Sequence, residues 1–393
     1  MEIYKIRKNI FLFVFIGILV SLFFLLSERG VFSQDSGDTV VGAARKQSLD
    51  TIMAEAGILR KIPHVGEVTL DFPVLAVAFS PKNDEFLVTA DRSGGIKLWE
   101  TKKRFSLGFT LAGHAKEAYA VAFSSDGKYL ASGGADQFIK VWDIASKSLV
   151  KTIRAYTGTI DALQFSPDNS ILASANLDNL IELWEAKDGG FYHVTSLTGH
   201  QGSVYSVSFH PNNKYLVSSG KDKEIRIWPI GTKDTQKILE AHMHIVLDAK
   251  FSPKGGFLAS GGADNIANLW RLDFKKGKLL LSDEPILYYI HKGWVTRVGF
   301  SRDDKFFVTS SQFGDLRIWD LSTMKLIKLI PVFSSQPIFD FAFSNNGKYL
   351  AVAGKEGKVF IYNWRDLISE SGVEAVQEAN PKENVISEYL QPN

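Results

Sequence analysis

Serine, histidine and aspartate recur together in this chain at a fixed pitch. His114, Ser132 and Asp136 lead to Trp142; His200, Ser218 and Asp222 lead to Trp228; His242, Ser260 and Asp264 lead to Trp270. In each set the histidine stands 18 residues before the serine, and the aspartate six before the tryptophan. A Ser–His–Asp set is the constellation of acyl-transfer catalysis, in which imidazole takes the hydroxyl proton and the carboxylate orients the ring. An active site, however, is built once, and three equal copies point to a property of a repeated unit. We therefore read the twelve residues as a structural set and assign no catalytic residue. A phosphate-binding loop ending in Gly-Lys-Ser/Thr, an HExxH pair and a Gly-x-Ser-x-Gly elbow are all missing from the sequence. His242-Met243-His244 sets two imidazoles in alternation, but zinc needs further ligands, and no metal is assigned.

Composition narrows the classes further. The 393 residues include 45 Lys and Arg against 43 Asp and Glu, 45% hydrophobic residues and no cysteine. Thiol catalysis, disulfide frameworks and cysteine-based metal centres are thereby excluded. A formal charge of +2 supplies no strongly basic face, so nucleic acid is not an expected partner. No cofactor is implied.

The elements that must carry these residues follow from a repeat. Phenylalanines at Phe79, Phe123, Phe165, Phe209, Phe251, Phe300 and Phe343 are spaced 44, 42, 44, 42, 49 and 43 residues apart. Trp99, Trp142, Trp184, Trp228, Trp270, Trp319 and Tyr362 follow each of them by 19 or 20 residues. Within the second unit AYAVAFS, YLASGG and FIKVWD alternate with period two around turn residues, and SLVKTI (Ser148 to Ile153) supplies a fourth strand. Four strands in about 42 residues make one blade of a β-propeller. The expectation is an all-β fold, a seven-bladed β-propeller of four-stranded blades. The seventh unit has no fourth strand after Tyr362, while Gly66 to Phe72 reads as a strand with no preceding unit. This N-terminal strand is expected to complete blade seven and close the ring.

These residues resemble the WD-repeat family over about Glu67 to Asn363. Its Gly-His element is matched by Gly113-His114 and Gly199-His200, and partly by Ala241-His242 and Ile290-His291. The third unit departs from it with Tyr156 in place of histidine, and the sixth with Phe313 in place of aspartate. The resemblance implies that the His–Ser–Asp–Trp sets form a buried structural hydrogen-bond network. It also implies that partners bind on the face where loops enter the innermost strands, around the central channel. Positions on that face gather Trp294, Tyr205, Tyr119, Phe339, Ile245 and Leu247, with Lys221, Lys355 and Arg92 nearby. Exposed aromatics among cations have the composition of a protein-binding surface. The expected function is a non-enzymatic protein–protein interaction scaffold. The alternative is an exported propeller that binds a small molecule or carbohydrate, or acts as an enzyme, through its channel, with Asp161 and Glu117 as the acids hinting at it.

Outside the propeller, Ile10 to Leu26 is a run of 17 uncharged apolar residues preceded by Lys5, Arg7 and Lys8. At 1.5 Å per residue it spans about 25 Å, at the short end of a membrane-crossing helix. The expected organisation is a signal anchor at 1–29, a linker with a short helix at 30–65, the propeller at 66–363 and an acidic tail at 364–393. The positive flank places the N-terminus in the cytoplasm and the propeller on the far side, periplasmic if the source is bacterial. Cleavage near Ser33 would instead release a secreted protein. The longer fifth interval falls in Arg271 to Ile290, where Lys275-Lys276-Gly277-Lys278 predicts a protruding basic hairpin.

Overall fold

The computed structural model describes residues 63–155 and 158–369. The apolar run 10–26, the linker helix, Tyr156 and most of the tail lie outside them. Among the described residues no helix is long and apolar enough to cross a membrane.

Seven four-stranded antiparallel sheets follow one another as blades. Blade 1 consists of β2 (Val74–Phe79), β3 (Phe86–Asp91), β4 (Ile96–Glu100) and β5 (Ser106–Leu111). Blades 2, 3 and 4 repeat this as β6–β9 (118–154), β10–β13 (160–197) and β14–β17 (204–239). Blade 5 uses β18–β20 and β23 within 246–290, and blade 6 uses β24–β27 (295–331). Both sequence markers are core positions. The tryptophan series and Tyr362 are buried on the third strands, and the phenylalanines ending the inner strands are buried except for the half-buried Phe123. Small residues on the second strands, such as Gly133 and Gly261, let neighbouring blades approach; a Cβ on Gly133 would lie 2.3 Å from Ile160 of the next blade.

Blade 7 takes three strands from the end of the chain and one from its beginning. Its order is β1-β30-β29-β28, with β1 at Gly66–Thr69, β28 at Ile338–Phe343, β29 at Tyr349–Gly354 and β30 at Lys358–Asn363. Gly66 pairs with Ile361 and Val68 with Val359, and Val68, Val359 and Ile361 share one apolar cluster with Phe79 and Phe105. Two further seams join blades 7 and 1. Val77 N–H donates to Asp340 Oδ2 at 2.9 Å beside the channel, and Asn346 N–H donates to Asp84 Oδ2 at 3.0 Å on the opposite face.

The turn between the second and third strands carries a left-handed residue in every blade: Gly94, Gln137, Asn179, Lys223, Asn265, Gly314 and Gly357. At Gly94, Gly314 and Gly357 a Cβ would come within 2.3–2.4 Å of a carbonyl oxygen of the loop leaving the blade, so those positions require glycine.

One expectation is corrected. The basic hairpin, β21 (Asp273–Lys275) and β22 (Lys278–Leu280), does not protrude. It folds back onto blade 4: Leu279 is buried beside Tyr215, whose hydroxyl accepts the Leu279 N–H at 3.0 Å, and Phe274 packs on His210 and Tyr215. Leu279 and Leu281 gain cover that a free hairpin lacks, while Phe274 keeps 41% of its surface exposed and Lys275, Lys276 and Lys278 stay exposed. The first residues after the last strand are ordered against the propeller. Residues 364–368 form a short helix, α1 (Trp364–Ile368), whose Trp364 and Leu367 are buried with Phe341 and Phe343.

Because Val68 is buried on the strand that the N-terminal side lends to blade 7, Val68→Asp is expected to lower unfolding stability by more than about 2 kcal/mol. It should also provoke association through the opened β30 edge. Urea unfolding followed together with light scattering checks this; an unchanged midpoint and a monomeric solution would contradict the closure role.

Candidate functional site

The three predicted networks form, but not identically. His114 Nδ1 lies 2.8 Å from Asp136 and its Nε2 2.6 Å from Ser132 Oγ; His200 makes the same pair to Asp222 and Ser218 at 2.7 Å each. His242 lies 2.9 Å from Asp264 Oδ2 and 2.7 Å from Ser260 Oγ. The indole completes the chain in blade 4, where Trp228 donates to Ser218 at 2.8 Å. It does not in the other two, which corrects the expected set. Trp270 instead reaches the Asp283 carbonyl at 3.5 Å, and Trp142 sets its ring edge to His114 with centroids 6.5 Å apart. Near Trp270, Asn268 occupies the space beside the imidazole, its amide 3.2 Å from His242 Nε2.

Each carboxylate also accepts the backbone N–H of the residue after its histidine: Ala115, Gln201 and Met243, at 2.9–3.0 Å. Burial pushes these carboxyls up, but the histidine bond and the backbone donors outweigh it and hold them below the usual carboxylate value. The serine hydroxyls are fully buried, so the Ser–His–Asp geometry has no access to substrate. His200, Asp222 and Glu224 could in principle gather a metal ion, yet His200 and Asp222 are bonded to each other and Glu224 pairs with Arg226 at 2.6 Å. They do not form an open ligand set.

Blade 6 shows what the aspartate does by lacking it. His291 Nε2 still meets Thr309 at 3.0 Å, and Trp319 donates to Thr309 at 3.3 Å. With Phe313 in the aspartate's place, His291 Nδ1 is buried without a hydrogen-bond partner. Burial, helped by the Arg317 charge, drives this histidine well below its ordinary pKa.

The nine positions chosen for the partner face all lie at the end of the ring where loops enter the inner strands. Of them Trp294 is exposed, at 37%, while Tyr119, Tyr205, Phe339, Ile245, Leu247, Lys221, Lys355 and Arg92 are half-buried. Of the inner-strand members, Tyr119 and Tyr205 line the central cavity. The exposed apolar groups there include residues not chosen: Met243 at 81% and Phe313 at 48%, with Phe72 and Leu177. A residue following a network histidine, or replacing the turn aspartate, is held by its backbone with its side chain outward, and that signal was in the sequence.

The channel itself is a cavity of about 510 Å³ lined by Tyr119, Asp161, Tyr205, Asp248, Lys250, Arg297 and Asp340 among others. Asp248, Arg297 and Asp340 were not anticipated. They sit three residues before the phenylalanine, where the other blades have Ala76, Ala120, Ala162 and Ser206, so a charge in a small-residue column was the missed cue. Asp248 accepts from Ser206 Oγ at 2.7 Å and Val298 N–H at 3.0 Å, and pairs with Lys250 at 3.2 Å. Asp340 accepts from Val77 and faces Arg297 Nε at 3.5 Å. Both acids tie neighbouring blades together.

Comparison with known proteins agrees with this architecture. The family model described as WD domain, G-beta repeat, matches residues 105–143, 147–185, 191–229, 233–271, 284–320 and 327–363. The chain belongs to the WD-repeat family. The six WD-repeat matches start at the outer strand of blade 1, and the seventh blade-forming unit, 66–104, is outside them. A U3 snoRNP-associated protein-like YAO from Arabidopsis thaliana is 32% identical over 84 residues, 21% of this chain and 15% of that protein. The nuclear distribution protein nudF of Aspergillus niger is 40% identical over 75 residues, 19% of this chain and 16% of its own length. Coatomer subunit beta'-1 of Arabidopsis thaliana is 33% identical over 91 residues, 23% of this chain and 10% of that subunit. The chain thus spans between a tenth and a sixth of the length of these relatives.

Phe313→Asp should give His291 the partner it lacks and raise stability by about 0.5–1.5 kcal/mol at neutral pH. The native histidine, with its folded pKa lowered, binds a proton more readily once unfolded. Its contribution is therefore present above about pH 6.5 and is lost as pH falls below it. The variant should lose less stability than the native chain between pH 7 and pH 5. Denaturant midpoints at both values test this, with Asp222→Ala, expected to cost about 1–3 kcal/mol, as the opposite control.

Proposed function

We propose that this WD-repeat protein is a non-enzymatic scaffold that holds a partner protein on the loop face of its propeller. The observation that carries the reading is the group of exposed Met243, Trp294 and Phe313 on the loops and turns of adjoining blades 5 and 6. The Met243 loop is fastened by the Asp264 carboxylate, so its apolar side chain is presented on a preorganised backbone at low entropic cost. The names of the relatives, a snoRNP-associated protein and a coatomer subunit, are those of components of assemblies, which supports a binding role. Membrane tethering by residues 10–26, with the propeller beyond the membrane, is part of the same proposal and is supported by the uncharged apolar run and its preceding cations. Such a tether would raise the local concentration of the face for partners at that membrane.

Replacing Met243 and Trp294 together by Ala should abolish capture of the partner in cross-linked, detergent-solubilised membranes while leaving the melting temperature nearly unchanged. Partner retention by the double variant would remove this face from consideration. For the tether, deletion of residues 1–29 should move the protein from the membrane pellet to the supernatant. A chain that stays in the soluble fraction with those residues intact and uncleaved would overturn it.

A further inference from the structure

Of the three acids in the channel, Asp248 and Asp340 are satisfied by neighbouring blades, and Asp161 is not. Asp161 is half-buried in the cavity wall, and its Oδ2 has no hydrogen-bond partner. It stands on β10 (Ile160–Phe165), four residues before the inner-strand phenylalanine. At the same register the adjoining strands carry Tyr119 on β6 (Ala118–Phe123) and Tyr205 on β14 (Val204–Phe209), and all three line the channel cavity. The cation that acts on it is Arg297, but this guanidinium is engaged with Asp340 at 3.5 Å and the Thr296 carbonyl at 2.9 Å.

A buried carboxylate oxygen without a donor is costly, and a donor entering the cavity from outside would relieve that cost. The donor must be slender enough to enter the mouth, cationic at its tip and apolar along its stem. Aromatic rings on either side add cation–π attraction and cover the stem. We propose that the channel mouth between blades 2, 3 and 4 receives one cationic side chain, lysine or arginine, of a partner peptide. In it Asp161 is the ion-pairing acceptor, and Tyr119 and Tyr205 flank the stem. This deepens the reading of the loop face as the partner surface and rests on it.

The groups that set the charge of Asp161 are few. Burial pushes its carboxyl up to about 7, with Arg297 of β24 (Val295–Phe300) opposing. Tyr119 and Tyr205 face it from the two neighbouring strands, with Glu117 and Arg92 acting on Tyr119 from the rim. The bound cation prefers the ionised acid, so capture should strengthen as pH rises through neutrality and fade in mild acid.

The test is calorimetric titration of the full-length protein in detergent with acetyl-Gly-Gly-Lys-Gly-Gly-amide, its arginine counterpart and its Nε-acetyl-lysine counterpart. At pH 8 the lysine or the arginine peptide should bind at least about tenfold more tightly than the acetylated one. Asp161→Asn should erase that advantage, and so should pH 5 with the native chain, which needs no variant to fold. Equal affinity of all three peptides at pH 8, an advantage that survives in Asp161→Asn, or no binding at millimolar peptide would each overturn the proposal. The Met243/Trp294 double variant separates the two readings. Loss of whole-partner capture there, with Asp161→Asn still capturing the partner undiminished, keeps the face and removes the cation site.

Discussion

The four-residue ladder between β1 and β30 is the constraint on which the rest of the ring depends. A seven-bladed ring assembled from consecutive repeats has two ends, and any gap between them leaves a row of unpaired backbone groups. Here the first strand of the described chain is lent to the last blade, so both ends are locked in one sheet. Two side-chain seams repeat the junction at different depths, Asp340 to Val77 beside the channel and Asp84 to Asn346 on the opposite face. Opening the ring therefore requires three separate surfaces to part together, which couples the first blade's stability to the last.

Closure makes the blades equivalent in position, and they can then differ in how each fastens its loop. In blades 2, 4 and 5 a carboxylate bridges the turn to the incoming loop and accepts a backbone N–H across its own turn, from Phe138, Glu224 and Ile266 at 3.2 Å. Those turns hold Gln137, Lys223 and Asn265 in the left-handed region, a conformation that costs a non-glycine residue about 1–2 kcal/mol. Blades 1, 6 and 7 lack the aspartate and have Gly94, Gly314 and Gly357 there. The bridging carboxylate and the glycine are thus two ways to hold that turn, and blade 3 uses a third, in which Asn176 Oδ1 accepts the Asp178 and Leu180 N–H groups around the left-handed Asn179.

The fold was legible because its two markers are physically distinct core positions, the inner-strand phenylalanine and the third-strand tryptophan, each forced to recur by the same blade geometry. Closure was legible for a related reason: a strand without a unit and a unit without a strand must meet. What escaped were contacts made by segments that the repeat pattern does not contain. The return of Phe274 and Leu279 onto Tyr215, the diversion of Trp270 to Asp283 and the burial of Leu367 each join positions with no fixed sequence offset. The face was legible as a location but not as an exposure, because an inner-strand side chain at the mouth is screened by its neighbours around a narrow ring. Met243 and Phe313, on loops and turns, are not.

The channel follows from the same narrowness. Seven inner strands bring one register of side chains within reach of one another, so any charge there is answered by a neighbouring blade or left bare in a half-dry space. Asp248 and Asp340 are answered, and their carboxylates hold the ring together by linking adjacent blades. Asp161 occupies the register one residue earlier, nearer the loop face, where its neighbours are two tyrosines and neither presents it a donor. A carboxylate one step deeper belongs to the architecture; at this step it belongs to whatever approaches from outside.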